Sequence, residues 1–170
     1  MRKKTILISF GVLSVFLVMV FALPDKYSVS RTTFIASDGK VIQENLAGMK
    51  FWGQWTPWNQ QEDLFGKFYS GSLSKVGSKV SWDSDKSGNG AIEIISAEPG
   101  RGIVYDLTLE GFSQSMGVIQ ITQLAGGCEV MWQLRGSVTD PLGVFFVPFM
   151  DYLVGPEFEK SLAGLKKRCE

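Results

Sequence analysis

The chain has 170 residues, with 17 basic residues balanced by 17 acidic ones, and contains no histidine. The absence of histidine removes Ser–His and Cys–His dyads, imidazole metal ligands and the usual proton shuttle. Setting aside Arg2, Lys3 and Lys4 leaves 14 basic against 17 acidic residues, a charge of −3, which disfavours nucleic acid or an anionic surface as a partner held by net charge.

Residues Ile6 to Leu23 form an uncharged apolar run directly after those three cations. As a helix it would be roughly 27 Å long, close to the hydrocarbon thickness of a bilayer. Basic residues before it predict a cytoplasmic N-terminus and a domain on the extracytoplasmic side. The competing reading is a cleaved signal peptide, with Val20 and Ala22 small enough for the −3 and −1 positions. The run is longer than the usual h-region and has no polar c-region, which favours a retained single-pass anchor. The expected division is residues 1–24 as the anchor and 25–170 as one domain.

Tyr27–Ile35 is rich in β-branched and aromatic residues and predicts a first strand. Ser37–Leu46 predicts a short helix, capped by Ser37 and with Val41, Ile42 and Leu46 as its stripe. Met49–Trp58 is compact and aromatic, and Gly53 and Pro57 argue against a long helix there. Strands are predicted at Leu64–Tyr69, Lys79–Asp83, Ala91–Ser96, Ile103–Leu109, Ser115–Leu124 and Glu129–Arg135, separated by glycine-rich turns. Consecutive strands with short turns predict an antiparallel meander. Asp140-Pro141 predicts a helix start, Pro148 a distortion, and Gly155-Pro156 the restart of a last helix over Glu157–Arg168. That helix has Phe158, Leu162, Leu165 and Cys169 as its apolar stripe. The fold class is therefore α+β. An antiparallel sheet of about seven strands is expected to curve around the terminal helix, with a cavity between them.

Candidate chemistry is sparse. Alternation turns Asp83, Asp106 and Glu129 toward solvent, with Lys79 and Arg135; Glu93 is ambiguous because Ile92, Ile94 and Ile95 surround it. Tyr105, Ser81 and Thr122 are the hydroxyls that could enter a pocket. Gly71–Lys79 lacks phosphate-loop spacing and Gly88-Asn89-Gly90 is turn chemistry. Cys128 and Cys169 match no metal or redox spacing, leaving one disulfide or two thiols open. The tryptophans of residues 52–58 either wall a cavity mouth or pack the short helices onto the sheet. The candidate pocket lining is Trp52, Trp55, Trp58, Trp82, Tyr105, Trp132, Phe149, Phe158 and Leu162. No catalytic residue, metal ligand or cofactor is assigned.

The element order, with a set of short words, resembles the START-related SRPBCC superfamily, in its polyketide cyclase/dehydrase and lipid transport branch. The words are Leu23-Pro24-Asp25-Lys26-Tyr27-Ser28-Val29; Trp52, Trp55, Pro57 and Trp58; Tyr69-Ser70-Gly71; Val80-Ser81-Trp82; Glu98-Pro99; Ile103-Val104-Tyr105-Asp106; Val130-Met131-Trp132; and Gly155-Pro156-Glu157-Phe158-Glu159-Lys160. The resemblance implies a helix-grip fold and a pocket for apolar ligands, but no particular reaction. The 37–46 segment departs from the proline and aromatic pattern often seen there, which bears on the entrance. The expected function is membrane-tethered, non-enzymatic binding of a hydrophobic small molecule or lipid. The alternatives are a cyclase or dehydratase using a pocket polar group, and a protein-interaction module with a filled pocket.

Overall fold

Alternating apolar and polar residues give most strands one face to bury, and in a computed structural model seven strands join in a single sheet. The structure describes residues 23–57, 66–72, 75–83, 88–110, 114–138, 140 and 143–170. The strands are β1 (Lys26–Ile35), β2 (Gly66–Ser70), β3 (Lys79–Asp83), β4 (Gly90–Glu98), β5 (Gly102–Leu109), β6 (Ser115–Leu124) and β7 (Gly127–Ser137). Their order is β1-β7-β6-β5-β4-β3-β2, every pair antiparallel. The meander over β2–β7 is as expected from the turns. The pairing of β1 with β7, from Lys26 opposite Ser137 to Ile35 opposite Cys128, joins the two ends of the sequence.

Two short helices follow β1: α1 (Gly39–Leu46) and α2 (Met49–Trp52). The cap of α1 is Asp38 rather than the expected Ser37, since the Lys40 amide donates to the Asp38 side chain at 2.7 Å. Ile42 and Leu46 are buried as expected, but Val41 is exposed. After β7 comes a 3-10 helix (Gly143–Phe149), whose first amide donates to the Asp140 carboxylate at 2.7 Å.

The terminal helix α3 (Met150–Cys169) departs from expectation. It runs unbroken through Gly155 and Pro156, where the sequence suggests a restart. The carbonyl that Pro156 leaves without its helical donor belongs to Tyr152, a residue 80% exposed, so water can satisfy it. Gly155 is a packing position: a Cβ there would lie 2.0 Å from an Arg31 guanidinium nitrogen. Arg31 sits on the helix-facing side of β1 and spans three carboxylate contacts, Nη1 to Asp151 at 2.8 Å, Nη2 to Asp151 at 3.0 Å and Nε to Glu159 at 2.6 Å. It ties the first half of α3 to β1. Both thiols are free, Cys128 buried and Cys169 half-buried. The expected span at 6–23 lies outside the described residues except for Leu23. Among the described residues, no helix is long and apolar enough to cross a membrane.

Candidate functional site

The concave face of the sheet meets α3 closely on one side and stands away from it on the other. On the close side Trp132 is wholly buried and stacks on Phe158 of α3, ring centroids 4.4 Å apart and 11° from parallel. Trp52 and Trp55 meet Trp132 edge-on at 5.5 and 5.7 Å. Their indole nitrogens donate to Leu46 and Asn45, at 2.9 and 3.2 Å, satisfying carbonyls at the end of α1 that have no helical partner. Leu162 lies in the same packed core.

On the far side is a cavity of about 340 Å³. Its sheet wall comes from Tyr27, Leu134, Tyr105, Leu107, Leu109, Ile92, Val80, Trp82 and Tyr69; α3 contributes Met150, Leu153, Val154, Glu157 and Phe158. Met49, Trp52, Gly53 and Thr56 close one end. Nearly all of this surface is carbon.

Three of the aromatic wall residues lie over a cross-strand glycine. Trp82 is opposite Gly90, Tyr105 opposite Gly117 and Tyr27 opposite Gly136. A Cβ on Gly90 would come within 2.2 Å of the Trp82 ring, and one on Gly117 within 1.9 Å of the Tyr105 ring. The missing side chains let the rings lie back against the sheet, so they wall the cavity without filling it. For Trp82 and Tyr105 the pair spans a hairpin, so glycine opposite an aromatic residue is a sequence signal for this wall; Tyr27 and Gly136 meet only through the β1–β7 pairing.

The polar groups of the wall are few and mostly engaged. The Tyr105 hydroxyl accepts a hydrogen bond from Trp132 Nε1 at 2.8 Å, and Tyr27 shares one with Ser115 at 2.7 Å. The Thr56 hydroxyl donates to the Trp52 carbonyl at 2.8 Å. Burial pushes the Tyr105 phenol well above its ordinary range, with Tyr27 adding to the rise and the Trp132 bond opposing it. It is therefore a neutral hydroxyl at any physiological pH and a poor base. Glu157, half-buried at the rim, pairs with Lys160 at 2.8 Å.

Of the candidate residues, Trp52, Trp82, Tyr105 and Phe158 come together on the cavity wall. Trp55, Trp132 and Leu162 belong to the packed core beside it. Phe149 is 59% exposed at the start of α3, outside the cavity, and Trp58 lies outside the described residues. Glu93 is resolved in favour of solvent. It pairs with its cross-strand neighbour Lys79 at 3.3 Å, while Ile95 takes up an irregularity of register in β4 and is exposed. Among the described residues no group of acidic residues and cysteines could hold a metal ion. Sequence reasoning did not find Tyr27, Tyr69, Met150 or Leu153.

Residues 52–170 match the family model for polyketide cyclase/dehydrase and lipid transport proteins. The chain belongs to that family. No curated protein matches it. Several solved structures share the fold of this polyketide cyclase/dehydrase-type domain. Major latex-like protein 151 of Panax ginseng is 17% identical, with a TM-score of 0.60 over 86% of this chain and 99% of its own. Norcoclaurine synthase of Thalictrum flavum is 13% identical, with a TM-score of 0.61 over 84% and 92%. The di-domain ARO/CYC StfQ of the steffimycin biosynthetic pathway is 11% identical, with a TM-score of 0.68; it matches 85% of this chain, which spans half of its length. At these identities the likeness is one of fold.

Proposed function

We propose that this family member binds a hydrophobic small molecule or a lipid portion in the cavity between sheet and α3, without chemistry, while residues 6–23 tether it to a membrane with the domain on the extracytoplasmic side. The observation that carries this is the carbon-lined cavity, kept open by the paired glycines. Its volume is near the lower end of the roughly 300–1,000 Å³ of small-molecule sites, so a single chain or ring system fits better than a whole two-chain lipid. Burying apolar ligand surface at about 25 cal/mol per Å² supplies the affinity. The tether would hold the pocket at high effective concentration of bilayer components.

The test is native mass spectrometry of the full chain purified in mild detergent. A bound apolar species of defined mass is expected, and Leu107→Phe, which narrows the cavity, should remove it while the protein stays folded. Protein that is ligand-free under gentle extraction, and takes up no apolar probe, would defeat the proposal. A catalytic role is the second reading, favoured by the Tyr105 and Tyr27 hydroxyls in the wall and by neighbours that include a synthase and an ARO/CYC protein. It requires turnover that Tyr105→Phe abolishes; the binding reading expects occupancy to survive that change.

A further inference from the structure

The 3-10 helix and the first two turns of α3 carry an apolar surface that the packing leaves uncovered. Phe146 is 56% exposed, Phe149 59%, Tyr152 80% and Leu153 50%; Pro148 and Pro156 are exposed between and beyond them. Phe146 and Phe149 are three apart on a 3-10 helix and so share a face. Phe149, Tyr152, Leu153 and Pro156 continue it at helical spacing. The one charged residue exposed within Phe146–Pro156 is Asp151, and Arg31 holds it. With that one charge paired, an exposed run of large apolar side chains marks a site of contact with something apolar. Leu153 is also a wall residue of the cavity, so the patch runs to its rim.

Its position in the sheet indicates what it meets. β1 begins at Lys26, paired with Ser137 at the end of β7, and the Val138 amide donates to the Asp25 carbonyl at 2.8 Å. From there five residues, spanning at most about 18 Å, lead to the 3-10 helix, which packs beside β1. The apolar run of the sequence ends at Leu23, which itself packs against the core. The run therefore joins the domain at the same end of the sheet that carries the exposed aromatics.

We infer that the patch around Phe146, Phe149 and Tyr152 is a bilayer-docking surface that seats the domain on the membrane with the rim of the cavity against it. This rests on the proposed membrane span and deepens the ligand proposal by making the bilayer the source of the ligand. Aromatic and aliphatic side chains on a helix face suit the acyl–headgroup boundary, and the patch carries no cationic cluster, so contact is insensitive to salt.

The test uses the full chain in phosphatidylcholine vesicles containing a lipid with a photoreactive group on one acyl chain. Labelling of the outward residues Phe146, Phe149 and Tyr152 should exceed that of the opposite β6–β7 turn by about ten-fold, unchanged at high salt. Labelling at Val154 or Phe158 reports the cavity instead, so the two proposals fail separately. A labelled cavity with an unlabelled patch overturns docking alone, and a labelled patch with an unlabelled, empty cavity upholds docking and defeats ligand uptake. Phe149→Glu with Tyr152→Glu, neither of which lines the cavity, should cut patch labelling several-fold without altering the unfolding transition. Patch labelling that the double variant leaves unchanged would overturn the inference, as would a patch left unlabelled by the lipid that a separate protein–protein cross-linker joins to residues 6–22 or to a second copy.

Discussion

The two halves of one sheet treat the same helix differently. Around Trp132 the space is full: Trp132, Phe158, Trp52 and Trp55 interlock, and Arg31 clamps α3 by Asp151 and Glu159. Under β3, β4 and β5 the wall is just as apolar, yet Trp82, Leu107 and Leu109 face a void. Hydrophobicity alone therefore does not distinguish core from pocket. Side-chain volume and the lie of the helix do: large rings project where α3 is close, and rings lie flat over glycine where it is not. The first arrangement supplies stability and the second keeps space for a ligand.

Trp132→Ala should break the filled half. It deletes the central ring of the cluster and should cost about 3–5 kcal/mol, read by denaturant unfolding. An equal loss from Leu107→Ala, whose side chain already borders empty space, would erase the contrast between the halves.

Gly117→Ala attacks the hollow half. Its methyl group must push the Tyr105 ring off the sheet into the cavity, costing roughly 1–3 kcal/mol. Retained ligand occupancy in this variant would show that the ring's position does not matter to the cavity.

Tyr105→Phe removes the acceptor of the Trp132 indole N–H at the border between the halves, worth about 1–2 kcal/mol. It also changes the response to alkali. The folded phenol titrates above its ordinary value near 10, so its stabilising effect is complete below that pH and is lost as pH rises beyond it. Unfolding curves of the wild type should weaken above that point, and those of Tyr105→Phe should weaken less.

The smallest effect belongs to the clamp. Arg31→Gln should speed amide exchange over Met150–Glu159 several-fold with little change in global unfolding, because its ion pairs face solvent. The Arg31 guanidinium holds the Asp151 carboxyl below its ordinary range. The clamp's contribution is therefore present above an ordinary aspartate value of about 3.9 and fades as pH falls from there through the lower folded value. Protection of this segment, taken relative to the intrinsic exchange rate at each pH, should fall in acid for the wild type and stay flat for the variant.

Much of the fold was legible because strand period and turn chemistry are local. Lys79–Asp83 and Ser115–Leu124 appear with the expected limits, and the helix after β1 differs by two residues and its cap. The candidate site was legible in part. Trp52, Trp82, Tyr105 and Phe158 line the cavity, but Trp132 and Leu162, chosen by the same criterion, pack the core. Alternation tells which face a residue is on, and both groups share the concave face. Glu93 remained ambiguous for a related reason: the irregularity at Ile94–Ser96 breaks the alternation on which an assignment depends.

Sequence by itself determined the meander, the apolar stripe of α3, the resemblance to a cyclase and lipid transport family, and an apolar N-terminal run suited to a bilayer. Those depend on neighbours a few residues apart. Tertiary structure decided that β1 closes on β7, that Gly155 makes room for Arg31 while α3 runs on past Pro156, and that Phe146, Phe149 and Tyr152 stay uncovered beside the chain's entry to the sheet. Each of these sets residues far apart in sequence against one another, and where a helix axis lies over a sheet is a sum of such contacts that no local pattern contains.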